Sequence, residues 1–206
     1  MGVVLAVMGA ALAATPPASG ADAQFARMVA LYEELCLQSF PDDDALARRV
    51  EQRGGVAMPE ERVKVTMRDD PARAWEFAGE TTSVWLELPP YHACSVRWSS
   101  PELPDSAPYE AAKARYFTRF HAQHAEARIA PDQHVERDLD SDIHMEAEFV
   151  QLVARAQAPD LAESGVENLM YVVQSINDPA RRKAGETGYV LRFVHQVPEA
   201  GADTQG

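Results

Sequence analysis

Two sets of three short strand segments, each preceded by an amphipathic helix, constrain the fold of this chain more than any other feature of its sequence. In the first set, Gly79-Glu80 and Pro89-Pro90-Tyr91 separate the strands at lengths that suit antiparallel hairpins, because parallel neighbours need crossovers of about a dozen residues. The second set contains the cleanest alternation, whose apolar side chains are predicted to face inward: Ile143, Met145, Ala147 and Phe149. The predicted strands cover residues 74–77, 83–88, 92–98, 143–149, 170–176 and 189–195.

Helical periodicity precedes each set of strands. The first helix is predicted over residues 25–36, and a long helix is predicted over 106–128, with Pro108 in its first turn, where a missing N–H removes no hydrogen bond. A short helix over 45–53 is capped by carboxylates at 42–44 and ends at Gly54-Gly55, while the polar segment 59–73 receives no regular element. The buried helical faces are predicted to contain Phe25, Met28, Val29, Tyr32, Leu35 and Cys36, and then Tyr109, Ala112, Tyr116, Phe117 and Phe120.

These elements predict an α+β fold in which helices pack on one face of antiparallel sheet, in the coarse order α-βββ-α-βββ. We expect a single α+β domain over residues 24–197, followed by a disordered tail over 198–206. A hydrophobic share of 46 % is ordinary for such a domain. The repeated order raises the hypothesis of an internal duplication, although no matching residue pattern links the two halves.

Residues 1–15 are small and apolar, and a Pro-rich stretch that favours turns follows them. This pattern predicts a signal peptide and Pro-rich linker over residues 1–23, cleaved after Ala13 or Ala23, and a periplasmic or secreted protein. The apolar run is shorter than the roughly 20 residues that span a membrane, so no stable membrane anchor is expected after cleavage. The run lacks the Lys or Arg that begins most signals, and the alternative is a cytosolic protein with an apolar N-terminus.

Both cysteines lie on predicted inward faces. Cys36 belongs to the buried face of the first helix, and Cys94 shares a strand face with Val96 and Trp98. Two inward cysteines usually pair in an oxidising compartment, so we predict the disulfide Cys36–Cys94. Closing a loop of this length stabilises a fold by about 4 kcal/mol, because it removes entropy from the unfolded chain. Two buried free thiols are the alternative if the leader is not a signal.

A formal net charge of −13 at pH 7 restricts the partners of this chain. Phosphate backbones and anionic lipid surfaces are bound by clustered Lys and Arg, so no nucleic-acid partner is expected. The one basic cluster, Arg181-Arg182-Lys183, is interpreted as a solvated loop. A protein or cell-envelope partner fits the charge, and no oligomeric state is predicted.

His121 and His124 are the candidate metal ligands of the sequence. Their spacing on the long helix lets both imidazoles reach one side of it, as in many metal sites. A zinc ion would need further ligands, for which the sequence offers Glu126, Asp132, His134 and His144. An HExxH site is excluded, because residues 122 and 123 are Ala and Gln. The alternative is a pair of histidines at the surface or at the edge of the core.

Other catalytic patterns are missing or incomplete. Neither GxSxG nor a Gly-rich phosphate loop occurs, so no catalytic residue and no cofactor are predicted. Carboxylates at 138, 140 and 142 resemble the start of a calcium loop, but Ile143 and Phe149 occupy the places that need Gly and Glu. The row of His144, Glu146 and Glu148 is interpreted as a solvated strand face, and the outward ring of Trp85 as a packing residue rather than a binding groove.

The leader, the helix with Leu35-Cys36 and the strand with Ala93-Cys94-Ser95-Val96 together resemble small exported proteobacterial proteins of uncharacterised function, over residues 25–98. The resemblance carries over no activity and no catalytic residue. Because no catalytic motif is present, the sequence favours an exported, periplasmic, non-catalytic binding or interaction protein over an enzyme. The alternatives are a metal-dependent hydrolase that uses His121 and His124, and an inhibitor or immunity-type protein for a basic partner.

Overall fold

The computed structural model describes residues 20–139, 141–154, 166–176 and 188–197. Most of the predicted leader, the cluster Arg181-Arg182-Lys183 and the predicted tail lie outside the described residues. Ala23, one of the two expected cleavage sites, lies in the first turn of a helix. Within the described ranges, no helix is long and apolar enough to cross a lipid bilayer.

The described residues form four α-helices, one π-helical turn and nine β-strands, which confirms the predicted α+β class. The helices are α1 (Gly20–Glu34), α2 (Asp43–Gln52), α3 (Glu60–Met67) and α4 (Ala107–Gln123), and the π-helical turn covers Leu35–Ser39. The strands are β1 (Gly55–Ala57), β2 (Ala72–Phe77), β3 (Thr82–Glu87), β4 (Ala93–Ser100), β5 (Arg128–Ile129), β6 (Gln133–Asp138), β7 (Ile143–Val153), β8 (Val166–Ile176) and β9 (Tyr189–Gln196).

The strands form one antiparallel sheet in the order β1-β2-β3-β4-β9-β8-β7-β5, and β6 also pairs with β7. The meanders β2-β3-β4 and β7-β8-β9 are the two predicted sets of strands. The last strand of each set pairs with the other at the centre of the sheet, where Val96 lies opposite Phe193. The coarse order α-βββ-α-βββ is therefore confirmed, with shorter elements added to it.

Helices α1 and α4 contact each other on one face of the sheet, and aromatic side chains fill the space beneath them. Phe193 stacks on Tyr109 of α4 and on Tyr171 of β8, with ring centroids 4.8 and 4.9 Å apart. The hydroxyl of Tyr32 donates a 3.0 Å hydrogen bond to the Val194 carbonyl, so this buried polar group is satisfied. The main core therefore lies between the two long helices and the middle of the sheet.

Helix α3 covers the opposite face of the sheet and lies in the segment 59–73, for which no regular element was predicted. Its Val63 packs with Met58, Ala74 and Trp85 in a small separate cluster. Trp85 is buried there, so its interpretation as a packing residue is confirmed. Pattern reasoning missed α3 because the helix is short and Val63 is its only buried side chain.

The inward face of β7 is the reverse of the predicted one. Val150 and Leu152 are buried in the main core, so Glu146 and Glu148, which alternate with them, also lie on the helix side of the sheet. The four apolar side chains predicted to face inward are on the other side. A buried cation makes this arrangement tolerable, since Lys113 of α4 lies 3.7 Å from Glu148 and also pairs with Glu110 and Asp132.

Helix α4 ends at Gln123, five residues before the predicted end at residue 128. His124 leaves the helix with φ −128°, and its carbonyl accepts a turn hydrogen bond from the Ala127 N–H. The chain then enters β5, which pairs with the end of β7. Sheet pairing therefore competes successfully with helix propensity in this segment.

The predicted disulfide between Cys36 and Cys94 is present, and the two Cα atoms are 5.3 Å apart. Cys36 lies in the π-helical turn after α1, and Cys94 lies on β4. Both residues are fully buried. The bond therefore fastens the end of the first helix to the central strands.

Candidate functional site

A cavity of about 580 Å³ lies between the π-helical turn, the end of α4 and one end of the central strands. Clefts of a few hundred cubic ångströms with mostly apolar walls and a few converging polar groups are the usual form of small-ligand sites. The apolar part of this wall is formed by Leu37, Phe40, Pro41, Ala154 and Val197.

His195 occupies the inner wall of the cavity and is only 2 % exposed. Alternation along β9 places it on the same face as Leu191 and Phe193. Its Nδ1 donates a 2.6 Å hydrogen bond to the carbonyl oxygen of Cys36. In a continuing helix, the Cys36 carbonyl would accept a hydrogen bond from the N–H of residue 40 or 41. The Phe40 N–H bonds to the Leu35 carbonyl instead, and Pro41 has no N–H, so the Cys36 carbonyl is free to accept from His195.

Glu167 holds the other nitrogen of the ring. Its Oε2 lies 2.8 Å from His195 Nε2, and the hydroxyl of Tyr116 donates to the same oxygen. A carbonyl and a carboxylate both accept, so a ring protonated at both nitrogens satisfies both partners. Tyr116 also lies 3.2 Å from His195 Nε2, because both groups donate to one acceptor.

The electrostatics of this network favour an ionised carboxylate. Burial alone raises the pKa of Glu167, but the hydrogen bond and charge of His195, together with the Tyr116 hydroxyl, outweigh burial and bring this pKa below its ordinary value. Burial, followed by the charge of Glu167, raises the pKa of Tyr116 well above the ordinary phenol value, so this side chain remains a neutral donor. The Glu167 carboxylate therefore lies between a neutral phenol donor and the ring of His195, and both ring nitrogens of His195 have a partner in the protein.

Arg119 brings positive charge to the same cavity. It lies three residues after Tyr116 on α4, and its Cζ is 5.5 Å from the centre of the Tyr116 ring. Its nearest carboxylate, Glu33 at 3.6 Å, is already bonded by Arg115 at 2.9 and 2.7 Å. Arg119 Nη2 is buried and has no hydrogen-bond partner among the described residues.

Two further histidines belong to the polar part of the wall, as do Gln38 and Gln123. His124 follows the end of α4 and packs against Phe120, with ring centroids 4.8 Å apart. His92 lies across the cavity, and its Nε2 is 2.9 Å from Asp43. The described lining residues therefore include one carboxylate, Glu167, against one arginine and three histidines.

A second cavity of about 420 Å³ lies beside α1, with Arg27, Leu31 and Trp98 in its wall. Its charged residues are exposed, and Arg53 is paired with Glu34. Its described lining residues contain no buried charge pair, so the cavity beside His195 is the better candidate site.

The structure places the two predicted metal ligands in different surroundings. His121 is exposed on α4, whereas His124 is half-buried and lines the cavity. Of the further ligands considered, His134 and Glu126 are exposed, Asp132 pairs with Lys113, and His144 pairs with Asp138. In the described ranges, no three His, Cys, Asp or Glu side chains are grouped so that they could hold a metal ion. Metal binding by His121 and His124 stays a prediction, which metal analysis of the purified protein and of His121→Ala would test.

Sequence reasoning missed Glu167, Tyr116 and Arg119 as site residues. His195 carried a readable signal, because alternation in its strand already put it on an inward face. Glu167 did not, since β8 begins at Val166, four residues before the predicted strand. Tyr116 was predicted to be buried, but its partners come from strands that are distant in sequence.

Comparison with known proteins finds no relative of this chain: no protein-family model, no curated protein and no solved structure matches it.

Proposed function

We propose that the protein is exported to the periplasm or the cell exterior and acts there as a non-catalytic binding protein for a small, largely apolar ligand. The observation that carries this proposal is the cavity of about 580 Å³ with its apolar wall beside the bonded network of His195, Glu167 and Tyr116. A preformed concave site with few polar groups is what ligand binding requires.

The state of the polar groups supports binding rather than catalysis. A general base needs an unprotonated nitrogen or oxygen within reach of the substrate. Both nitrogens of His195 already have hydrogen-bond partners in the protein, and Glu167 Oε2 already accepts from Tyr116. The network instead connects α4, β8, β9 and the π-helical turn, so it keeps the walls of the cavity in place.

Binding can be tested with N-phenyl-1-naphthylamine, a neutral dye that fluoresces in apolar sites. We expect saturable binding with one dye per chain. Ala154 lies in the cavity wall, so Ala154→Trp should weaken binding at least about tenfold by filling the space. Ala111→Trp on the exposed face of α4 adds the same ring outside the cavity and should change nothing. Equal binding by the wild type and both variants would place the dye elsewhere and overturn the proposal.

Export is supported by the apolar leader and by the disulfide, because disulfides persist mainly in oxidising compartments. Fusing residues 1–23 to alkaline phosphatase, which is active only after export, tests this part. Activity that depends on residues 1–23 is the expected result. An inactive fusion that stays in the cytoplasm would refute export by this segment.

A further inference from the structure

Arg119 is the one arginine among the described residues of the cavity wall, and its side chain, which is 38 % exposed, shares the carboxylate of Glu33 with Arg115. Glu33 lies 3.6 Å from Arg119 Nη1, but both oxygens of Glu33 accept closer hydrogen bonds from Arg115. Arg119 Nη2 is out of contact with solvent and has no acceptor among the described residues. A buried donor without an acceptor is destabilising, so such an atom calls for an explanation such as a missing anion.

From this geometry we infer that the ligand of the cavity is an amphiphilic organic acid whose carboxylate binds Arg119 while its apolar body lies against Leu37, Phe40 and Val197. This inference rests on the proposed function and names the chemical class of the ligand. A carboxylate offers the planar pair of oxygens that a guanidinium fork binds best.

The charges around the cavity favour an anion over a cation. The only carboxylate in the described wall, Glu167, is neutralised by His195 and also accepts from Tyr116. It therefore has little attraction left for a ligand cation. His124, which follows the end of α4, also lines the cavity. The described wall therefore contains one arginine and one carboxylate, although the chain as a whole has a net charge of −13.

The apolar part of the cavity wall indicates the chemistry of the ligand beyond its carboxylate. A small inorganic anion would leave most of the 580 Å³ and the side chains of Leu37, Phe40 and Val197 without contacts. A hydrocarbon body gains roughly 0.8 kcal/mol for each methylene group that it buries. Charge and volume together therefore point to a carboxylate attached to an apolar chain or ring.

Decanoate and decanol test the inference, because they share a tail and differ in the charged group. Each is titrated against bound N-phenyl-1-naphthylamine near neutral pH. Decanoate should bind the wild type at least about tenfold more tightly than decanol. Arg119→Gln should remove that advantage and leave decanol binding within about twofold. Arg48→Gln, which removes an exposed charge on α2 away from the cavity, is the matched control and should alter neither affinity.

The outcomes separate the two proposals. Equal affinity for decanoate and decanol, an Arg119→Gln effect that is the same for both, or failure of both to displace the dye would overturn the inference about the acid. Failure of the dye itself to bind in the cavity would overturn the proposed binding function.

Discussion

His195 is held at both ring nitrogens, and each contact has a cause in the local sequence. Pro41 lacks the N–H that could otherwise bond the Cys36 carbonyl, so that oxygen accepts from Nδ1. On the other side, β8 brings Glu167 to a position diagonal to His195 on the same face of the sheet. Burying an ion pair is tolerated when further hydrogen bonds satisfy it, and the Tyr116 hydroxyl supplies one of them.

Glu167→Gln should lower the free energy of unfolding by about 2 kcal/mol near neutral pH, because a neutral amide replaces the carboxylate that bonds both Tyr116 and the buried His195 ring. Urea unfolding followed by circular dichroism gives the difference. Glu126→Gln removes an exposed carboxylate and should stay within about 0.5 kcal/mol of the wild type. Equal effects of the two substitutions would show that the ion pair does not stabilise the fold.

The effect of Glu167→Gln should also depend on pH. Burial alone raises the pKa of Glu167, yet its His195 and Tyr116 partners bring it below 4.5, the value for an unperturbed carboxyl. The carboxylate therefore stabilises the fold above about pH 4.5, and this contribution is lost as the pH falls through the folded-state pKa. The difference between the wild type and the variant should shrink as the pH is lowered from about 5 to about 3. A difference that stays constant over this range would contradict the assignment.

Replacing Cys36 and Cys94 together by serine should lower the free energy of unfolding by about 4 kcal/mol, since the bond closes a chain separation of 58 residues. Denaturant unfolding of the variant, compared with the wild type before and after reduction, measures this effect. The reduced wild type should behave like the variant. A loss below about 1 kcal/mol would mean that the bond adds little constraint to the unfolded chain.

Among the secondary-structure elements, the sequence predicted best those with an unmixed pattern. β4 alternates Cys94, Val96 and Trp98 with polar residues, and both its inward face and the disulfide followed from that pattern. β7 was assigned the wrong inward face because its apolar side chains occur on both faces. Only Val150 and Leu152, beyond the predicted end of the strand, show which face meets the helices. The alternation within one strand cannot predict a salt bridge such as that of Lys113 with Glu148, because this salt bridge depends on a helix that packs on the strand.

The candidate site was harder to predict than the fold for a related reason. Its residues come from the π-helical turn, α4, β8 and β9, and no short segment contains two of the three members of the network. His121 and His124 were chosen for their spacing, and the structure brings only His124 to the cavity. Spacing along one helix shows which of its own side chains lie close together. The order of the strands in the sheet decides which residues of other elements lie beside them.

Two arginines lie directly opposite each other on β4 and β9 and share one carboxylate. Arg97 and Arg192 are cross-strand partners; Arg192 bonds to Glu87, and Arg97 lies 4.0 Å from the same oxygen. Burial, reinforced by Arg192 and opposed by Glu87, lowers the pKa of Arg97 to about 10. The carboxylate of Glu87 therefore reduces the repulsion between the two facing guanidinium groups on β4 and β9.

Glu87→Gln should lower the free energy of unfolding by about 2 kcal/mol, because it leaves two facing guanidinium groups without a counter-charge. Arg192→Gln should lower the free energy of unfolding by less, below about 1 kcal/mol, since Glu87 can then pair with Arg97 alone. Thermal or urea unfolding of both variants gives the order. The reverse order would show that Arg192 is required for packing and that the shared carboxylate is not the main stabilising group.

At the scale of the molecule, the two α-βββ halves are joined through their last strands. β4 and β9 pair along their whole length, and α1 contacts α4 above them. The order helix, then three strands, therefore occurs twice, and the internal duplication stays a hypothesis. The main core is shared between the halves, because Phe25 of the first half packs on Tyr171 and Phe193 of the second.

The two halves should therefore unfold together. All three tryptophans lie in β2, β3 and β4, so their fluorescence reports on the first half, whereas circular dichroism reports on both. The two signals should give coincident urea transitions. Val96→Ala, at a fully buried position paired with Phe193, should move both transitions by the same amount, about 1 to 3 kcal/mol. Two separate transitions, or a shift confined to the fluorescence, would mean that each half is stable without the β4–β9 pairing.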